Sequence, residues 1–165
     1  MKLIKNFSKK FFQLYKKENI FFFIIIFFLF ALDRITKIFV INNYTDNKIF
    51  INNFINFDLT WNIGIGFGLL SYDSSLIYNI ITIIITIVIL ILFYTSVGVE
   101  KIEKYIFSII IGGALGNFYD RLTLSAVPDF IDIHYNNFHW FTFNVADIFI
   151  TLGIIAFLMK GIFEK

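Results

Sequence analysis

Between Leu76 and Val97 the chain carries no charged residue. At about 1.5 Å of rise per residue, a helical run of this length covers the roughly 30 Å hydrocarbon core of a bilayer, and a helix satisfies its own backbone polar groups there. Three further apolar segments, 20–41, 105–122 and 145–162, have comparable length. With 58% of its 165 residues hydrophobic and a mean hydropathy of +0.78, the chain exceeds the apolar content of an ordinary soluble domain. The fold class expected is an all-α polytopic membrane protein with four transmembrane helices, forming one integral membrane domain over 1–165.

Lysines precede the first apolar run, as they do in a secretory signal, but the run resumes over 35–41 and no small-residue cleavage site follows, so it reads as a retained span. Lysines within 1–17 alternate with Leu3, Phe7, Phe11 and Leu14 at helical spacing. That pattern suits an interfacial helix or, equally, a solvated basic tail. Six lysines lie before the first span, Lys101 and Lys104 between the second and third, and Lys160 and Lys165 at the end, whereas the opposite side holds Lys48 and Arg121. This asymmetry predicts cytoplasmic termini and puts segments 42–75 and 123–144 on the outer side.

From Ile55 to Leu69 every odd position is apolar, while the even ones are Asn56, Asp58, Thr60, Asn62, Gly64, Gly66 and Gly68. Alternation with period two predicts a β-rich cradle in 42–75, its apolar face on the bilayer surface and its polar face toward a peptide. Segment 123–144 reads as a loop. There is no basic stripe beyond the N-terminal lysines, so nucleic acid is not an expected partner, and the absence of cysteine excludes disulfides and thiol chemistry.

An ionised side chain near lipid costs several kcal/mol unless it is paired or hydrated, so the acids between Gly112 and Asp147 require a reason. Gly113, Asn117, Asp120, Arg121 and Leu124 follow helical spacing, and Gly112 and Gly116 form a G-x-x-x-G pair suited to close helix packing. Asp120 lies near the negative end of its helix and calls for compensation by Arg121, Arg34 or Lys37. Asp129 follows Pro128 and precedes Phe130-Ile131, which reads as a turn pressed on apolar surface and predicts a raised pKa. Asn144 and Asp147 have the N-cap and N3 spacing of the fourth helix, where an anion is favoured. One carboxyl biased toward protonation and another biased toward ionisation meet the requirement of an aspartic hydrolase, and also that of ion pairing or a transport path. His134 and His139 lack the helical H-E-x-x-H arrangement and read as interfacial packing, so neither metal nor cofactor is expected. Ser125 has no Lys or His at a recognisable spacing for a serine mechanism.

Five motifs in order resemble the lipoprotein signal peptidases, the type II signal peptidases of bacteria: Leu32-Asp33-Arg34-Ile35-Thr36-Lys37, Asn62-Ile63-Gly64, the run Gly112 to Arg121, Val127-Pro128-Asp129-Phe130-Ile131 and Phe143-Asn144-Val145-Ala146-Asp147. The resemblance implies Asp129 and Asp147 as catalytic acids and Asp120 as a supporting group. It implies that Asn62, Asn117, Arg121 and Asn144 hold substrate backbone or orient the acids, that Asp33 and Lys37 shape the site, and that Gly64 belongs to the substrate-facing N-x-G motif. Pro128 stands where the family usually has a second valine, and Ile65-Gly66 where it generally has small residues. The implied substrate is a diacylglyceryl-modified prolipoprotein cut before its lipid-modified cysteine, by a monomer in contact with membrane lipids in the bacterial inner membrane, its site facing outward. The competing reading is a small proton- or ion-coupled transporter using intramembrane acids such as Asp33, Asp120 and Asp147.

Overall fold

The computed structural model describes residues 17–44, 48–63, 74–136 and 138–163. Four long helices, α1 (Lys17–Asn43), α2 (Ser74–Ser96), α3 (Lys101–Thr123) and α4 (Val145–Phe163), occupy the four apolar segments. The remainder is one antiparallel sheet of β1 (Ile49–Phe50), β2 (Ile55–Asn62), β3 (Val127–Tyr135) and β4 (Phe138–Phe143), in the order β1-β2-β3-β4. The basic segment 1–16, and Gly64, Gly66 and Gly68 of the alternating stretch, lie outside the described residues.

Helix α3 is the centre of the bundle, packed on all three other helices. Its Ile106, Phe107, Ile110 and Ile111 form the apolar core with Phe22 and Ile26 of α1. The G-x-x-x-G pair faces α1: a Cβ on Gly112 would come within 2.9 Å of Leu29 Cβ, and one on Gly116 would collide with the Asp33 carboxylate. Gly113 instead faces α4, where a Cβ would lie 2.5 Å from the Ala146 carbonyl oxygen. The motif residues therefore do not share one helix face. They radiate toward different neighbours, because 3.6 residues per turn swings adjacent positions by about 100°.

The bundle is inside out compared with a soluble protein. On α1, Phe27 is 70% exposed while Asp33 and Lys37 are 0% exposed. On α4, Leu158, Ile162 and Phe163 face outward and Gly153 is buried against Ile110. Apolar side chains outside and paired charges inside are the arrangement expected where the surroundings are lipid. Tyr78–Ser96 and Val145–Phe163 are long and apolar enough to cross a membrane by length and composition. Helices α1 and α3 carry more charge, and among their described side chains Asp33, Lys37, Lys104 and Asp120 are buried.

Segment 123–144 is not a loop: it forms the β3–β4 hairpin and supplies half the strands of the sheet. Its Asn136 adopts a left-handed conformation (φ 53°), which Asn tolerates better than most residues, at the hairpin's tip. Asp129 likewise lies within strand β3 rather than in a turn. Proline is tolerated beside it because Pro128 pairs only with Trp61 of β2, β4 joining the ladder from Ile131 onward.

Candidate active site

The site is built in two layers where the ends of α1, α3 and α4 meet the sheet. The deeper layer is a buried charge network. The Lys37 ammonium lies 2.8 Å from Asp33 Oδ2 and 2.7 Å from Asp120 Oδ2, and Arg34 pairs with the other oxygen of Asp120. Two cations thus face two carboxylates. Asp120 is compensated by Arg34 and Lys37 of α1; Arg121 turns away, donates to the Asn117 carbonyl at 3.1 Å, and lines a separate cleft of about 420 Å³ with Tyr78, Asn79 and Thr82.

The upper layer holds Asp129 and Asp147. Asp129 accepts from Asn62 Nδ2 at 2.9 Å through Oδ2 and from Asn144 Nδ2 at 2.5 Å through Oδ1. Asp147 accepts from Asn117 Nδ2 at 2.7 Å through Oδ1 and from the Asn144 backbone N–H at 3.1 Å through Oδ2. The Asp147 N–H returns a bond of 3.0 Å to Asn144 Oδ1, which completes a reciprocal capping box at the start of α4. Asn144 consequently touches both acids.

The layers are joined at two points. Lys37 donates to Asn117 Oδ1 at 2.8 Å, which fixes the amide so that its nitrogen faces Asp147. Asp33 Oδ1 accepts the Ala146 N–H at 2.9 Å, supplying from α1 a partner for a first-turn donor of α4. The interhelix bond was not evident from sequence, because nothing in local spacing announces a partner 113 positions away. A second buried pair, Lys104 Nζ to Asn19 Oδ1 at 2.8 Å, likewise has no signature in local spacing.

The two acids sit in different surroundings. Burial pushes the Asp129 carboxyl up to about 6, against the lowering pull of the Asn62 and Asn144 hydrogen bonds, and the nearby negative charge of Asp147 adds to the rise. Asp147 is partly exposed and borders an apolar cleft of about 240 Å³ with Ile133, Phe141, Phe143, Ile148, Thr151 and Leu152. Of the residues expected at the site, Asp33, Lys37, Asn62, Asn117, Asp120, Asp129, Asn144 and Asp147 converge, Arg121 borders it through Asn117, and Gly64 lies outside the described residues.

A mainly helical fold with a small antiparallel sheet at one end and acids gathered beneath it defines a class of membrane enzyme. Two solved structures described as bacterial membrane enzymes determined by the in meso method, at 1.9 and 2.3 Å resolution, share the fold with TM-scores of 0.71 and 0.68. They are 27% and 30% identical to this chain, covering 84% and 86% of it and 90% and 87% of their own lengths. The particular family follows from sequence: the model described as Signal peptidase (SPase) II matches residues 25–163, and the chain belongs to that family. Among its relatives, the lipoprotein signal peptidase of Pelagibacter ubique is 47% identical over 143 residues, 85% of this chain and 86% of that protein. The lipoprotein signal peptidase of Francisella tularensis subsp. novicida is 37% identical over 150 residues, 87% of this chain and 92% of that protein.

Proposed function

We propose that this protein is an aspartic endopeptidase of the bacterial cytoplasmic membrane that removes signal peptides from diacylglyceryl-modified prolipoproteins, cutting before the lipid-modified cysteine. The observation that carries the reading is the Asn144 bridge, which ties a carboxyl raised to about 6 to a second carboxyl at a helix N-terminus. Asp147 is the base: it takes a proton from a water that attacks the scissile carbonyl carbon. Asp129 is the acid: it donates its proton to the carbonyl oxygen. As the tetrahedral intermediate collapses and the C–N bond breaks, the proton held by Asp147 passes to the departing amine of the lipid-modified cysteine, and Asp129 recovers a proton from a hydroxyl of the intermediate.

All four helices cross the membrane, with the termini cytoplasmic and the acids at the outer face. Support comes from the inward turn of the α1 charges and from the exposed Trp61, Tyr135, Phe138 and Trp140 on the sheet, whose aromatic rings suit a headgroup level. Lys101 and Lys160 belong to the opposite end. A signal peptide is itself a membrane helix, and a lipid on its cysteine pins the scissile bond at that level, so orientation replaces many specific contacts. The apolar cleft beside Asp147 suits a greasy segment of the substrate.

The test uses purified protein, a synthetic diacylated precursor and mass analysis of the product. Asp129→Asn and Asp147→Asn are each expected to abolish cleavage while the protein remains folded and inserted. Processing by either variant near the wild-type rate would overturn the acid pair, and proton flux in proteoliposomes without peptide hydrolysis would favour a transporter instead.

A further inference from the structure

The chain contains only two histidines and no cysteine, and the β3–β4 hairpin brings both histidines to one carboxylate. On β3, Asp132 and His134 are two residues apart and project from the same side of the strand. On β4, the ladder runs Asp132 to Thr142 and Ile133 to Phe141, and then shifts so that His134 faces His139. Trp140 is the residue skipped. Without that bulge His134 would face Trp140, so the irregularity is what puts an imidazole opposite an imidazole; re-aiming a side chain is a recurrent use of bulges.

The resulting cluster has the marks of a ligand set. His139 Nδ1 lies 2.8 Å from Asp132 Oδ2 and 3.0 Å from Oδ1, and His134 Nδ1 lies 3.9 Å from the same Oδ2. One donor atom from each of the three residues falls within 4.8 Å of the others. The imidazole rings are stacked, with centroids 5.3 Å apart. The side chain of His134 is 8% exposed, and its Nδ1 has no hydrogen-bond partner among the described residues. A buried imidazole nitrogen aimed at a carboxylate it does not reach is an orphan that an ion between them would satisfy.

We propose that Asp132, His134 and His139 bind a divalent transition-metal ion, with zinc the best match. Two imidazoles and a carboxylate form a borderline donor set that selects such ions over the harder magnesium and calcium. Ligands about 2 Å from zinc lie roughly 3.3 Å from one another, so His134 must draw toward the other two ligands while the 2.8 Å contact of His139 with Asp132 opens slightly. His139, 46% exposed at its side chain, has the freedom to close and leaves a path of entry. The Asp132 carboxylate already collects His139, Lys48 and Asn56 around its two oxygens, the setting of an anionic ligand. The Lys48 ammonium, 3.3 Å from Asp132 Oδ2 and 3.2 Å from Asp58 Oδ2, is a resident cation that the ion displaces toward Asp58. Bound there, the metal clips the far part of the hairpin whose base carries Asp129, independently of the acid pair.

The experiment uses full-length protein with every affinity-tag histidine removed, chelator-treated and in detergent. Titration with Zn²⁺ is expected to give one ion per chain and to raise the Tm, and Co²⁺ is expected to give the visible absorption of a four-coordinate nitrogen and oxygen site. His139→Gln, a change at an exposed position, and His134→Gln should each weaken Zn²⁺ binding by at least about tenfold and remove the Tm shift. Lys48→Ala should bind Zn²⁺ as tightly or more tightly, because a competing cation is gone. Absence of stoichiometric binding, equal binding by the His139→Gln variant, or equal affinity for Mg²⁺ would each overturn the proposal.

Discussion

The side-chain amide of Asn144 lies 2.5 Å from the carboxylate of Asp129, while the backbone N–H of Asn144 lies 3.1 Å from that of Asp147. One residue thus sets the relative position of a strand carboxyl and a helix carboxyl. Neither acid would be held in register with the other by its own element, because β3 and α4 are separated by the whole of β4.

Replacement of Asn144 by Ala should therefore act on chemistry more than on folding. Loss of the cap costs about 1 kcal/mol of stability. Loss of the side-chain amide leaves the Asp129 carboxyl held by Asn62 alone, while Asp147 keeps the Asn144 backbone N–H and Asn117, and kcat is expected to fall by more than about tenfold while KM changes little. Equal kcat in Asn144→Ala and wild type, measured on a diacylated precursor, would show that the bridge is only a cap.

The raised pKa of Asp129 has a consequence for stability whose sign is fixed. The folded protein holds this proton more tightly than the unfolded chain does, from the ordinary value of 3.8 up to about 6. The stabilisation is complete below about 3.8 and is lost as the pH climbs through about 6. Thermal melting across pH 4 to 7 should show this downward slope in wild type, worth about 2 kcal/mol, and lack it in Asp129→Asn. In Asp147→Asn the slope should move to lower pH, because a neighbouring negative charge that supports the proton has been removed. The same proton predicts that kcat/KM declines as the pH passes about 6, with a midpoint that belongs to the coupled pair.

These features differ in how far they could be read from residue order. The Asn144-Val145-Ala146-Asp147 spacing is local, so the capping box was legible, as were the four apolar helices and the first half of the alternation that became β2. Desolvation of Asp129 was legible from its apolar neighbours, although its strand was not: Pro128 and the short polar-apolar repeat of Asp132 to Tyr135 read as loop, and become strand only through pairing with β2 and, from Ile131 onward, with β4. The partner of Asp120 could be narrowed to three cations but not chosen, since the choice depends on how α1 and α3 cross. His134 and His139 meet through a bulge, which shifts register by one residue and has no counterpart in simple periodicity.

Lys37 is expected to be the most costly single loss in the buried network. It contacts Asp33 and Asp120 together, and both are fully buried. Lys37→Met removes one cation and leaves two carboxylates facing Arg34 alone, a change of the kind that destabilises by about 3–5 kcal/mol. Adding Asp33→Asn should restore part of that loss, since Asn retains an oxygen for the Ala146 N–H and carries no charge. A double-mutant cycle read by thermal or denaturant unfolding in detergent gives the coupling, and strict additivity of the two changes would contradict the network.

Gly112 and Gly116 offer a way to separate packing from positioning, because both lie on the α1–α3 contact and only one touches a group that reaches α4. A methyl at Gly112 meets the Leu29 side chain, with Cβ at 2.9 Å, whereas a methyl at Gly116 drives into the carboxylate of Asp33. Each Ala substitution overpacks the interface and is expected to cost about 1–3 kcal/mol in stability. Their effects on turnover should diverge. Displacing Asp33 loosens its bond to the Ala146 N–H, and the next residue along α4 is Asp147, so Gly116→Ala should reduce kcat by at least about tenfold. Gly112→Ala, which leaves Asp33 in place, should keep kcat within about twofold of wild type when assayed below its own Tm. Equal losses of activity in the two variants would mean that helix spacing alone governs the site and that the contact from Asp33 to α4 has no part in setting Asp147.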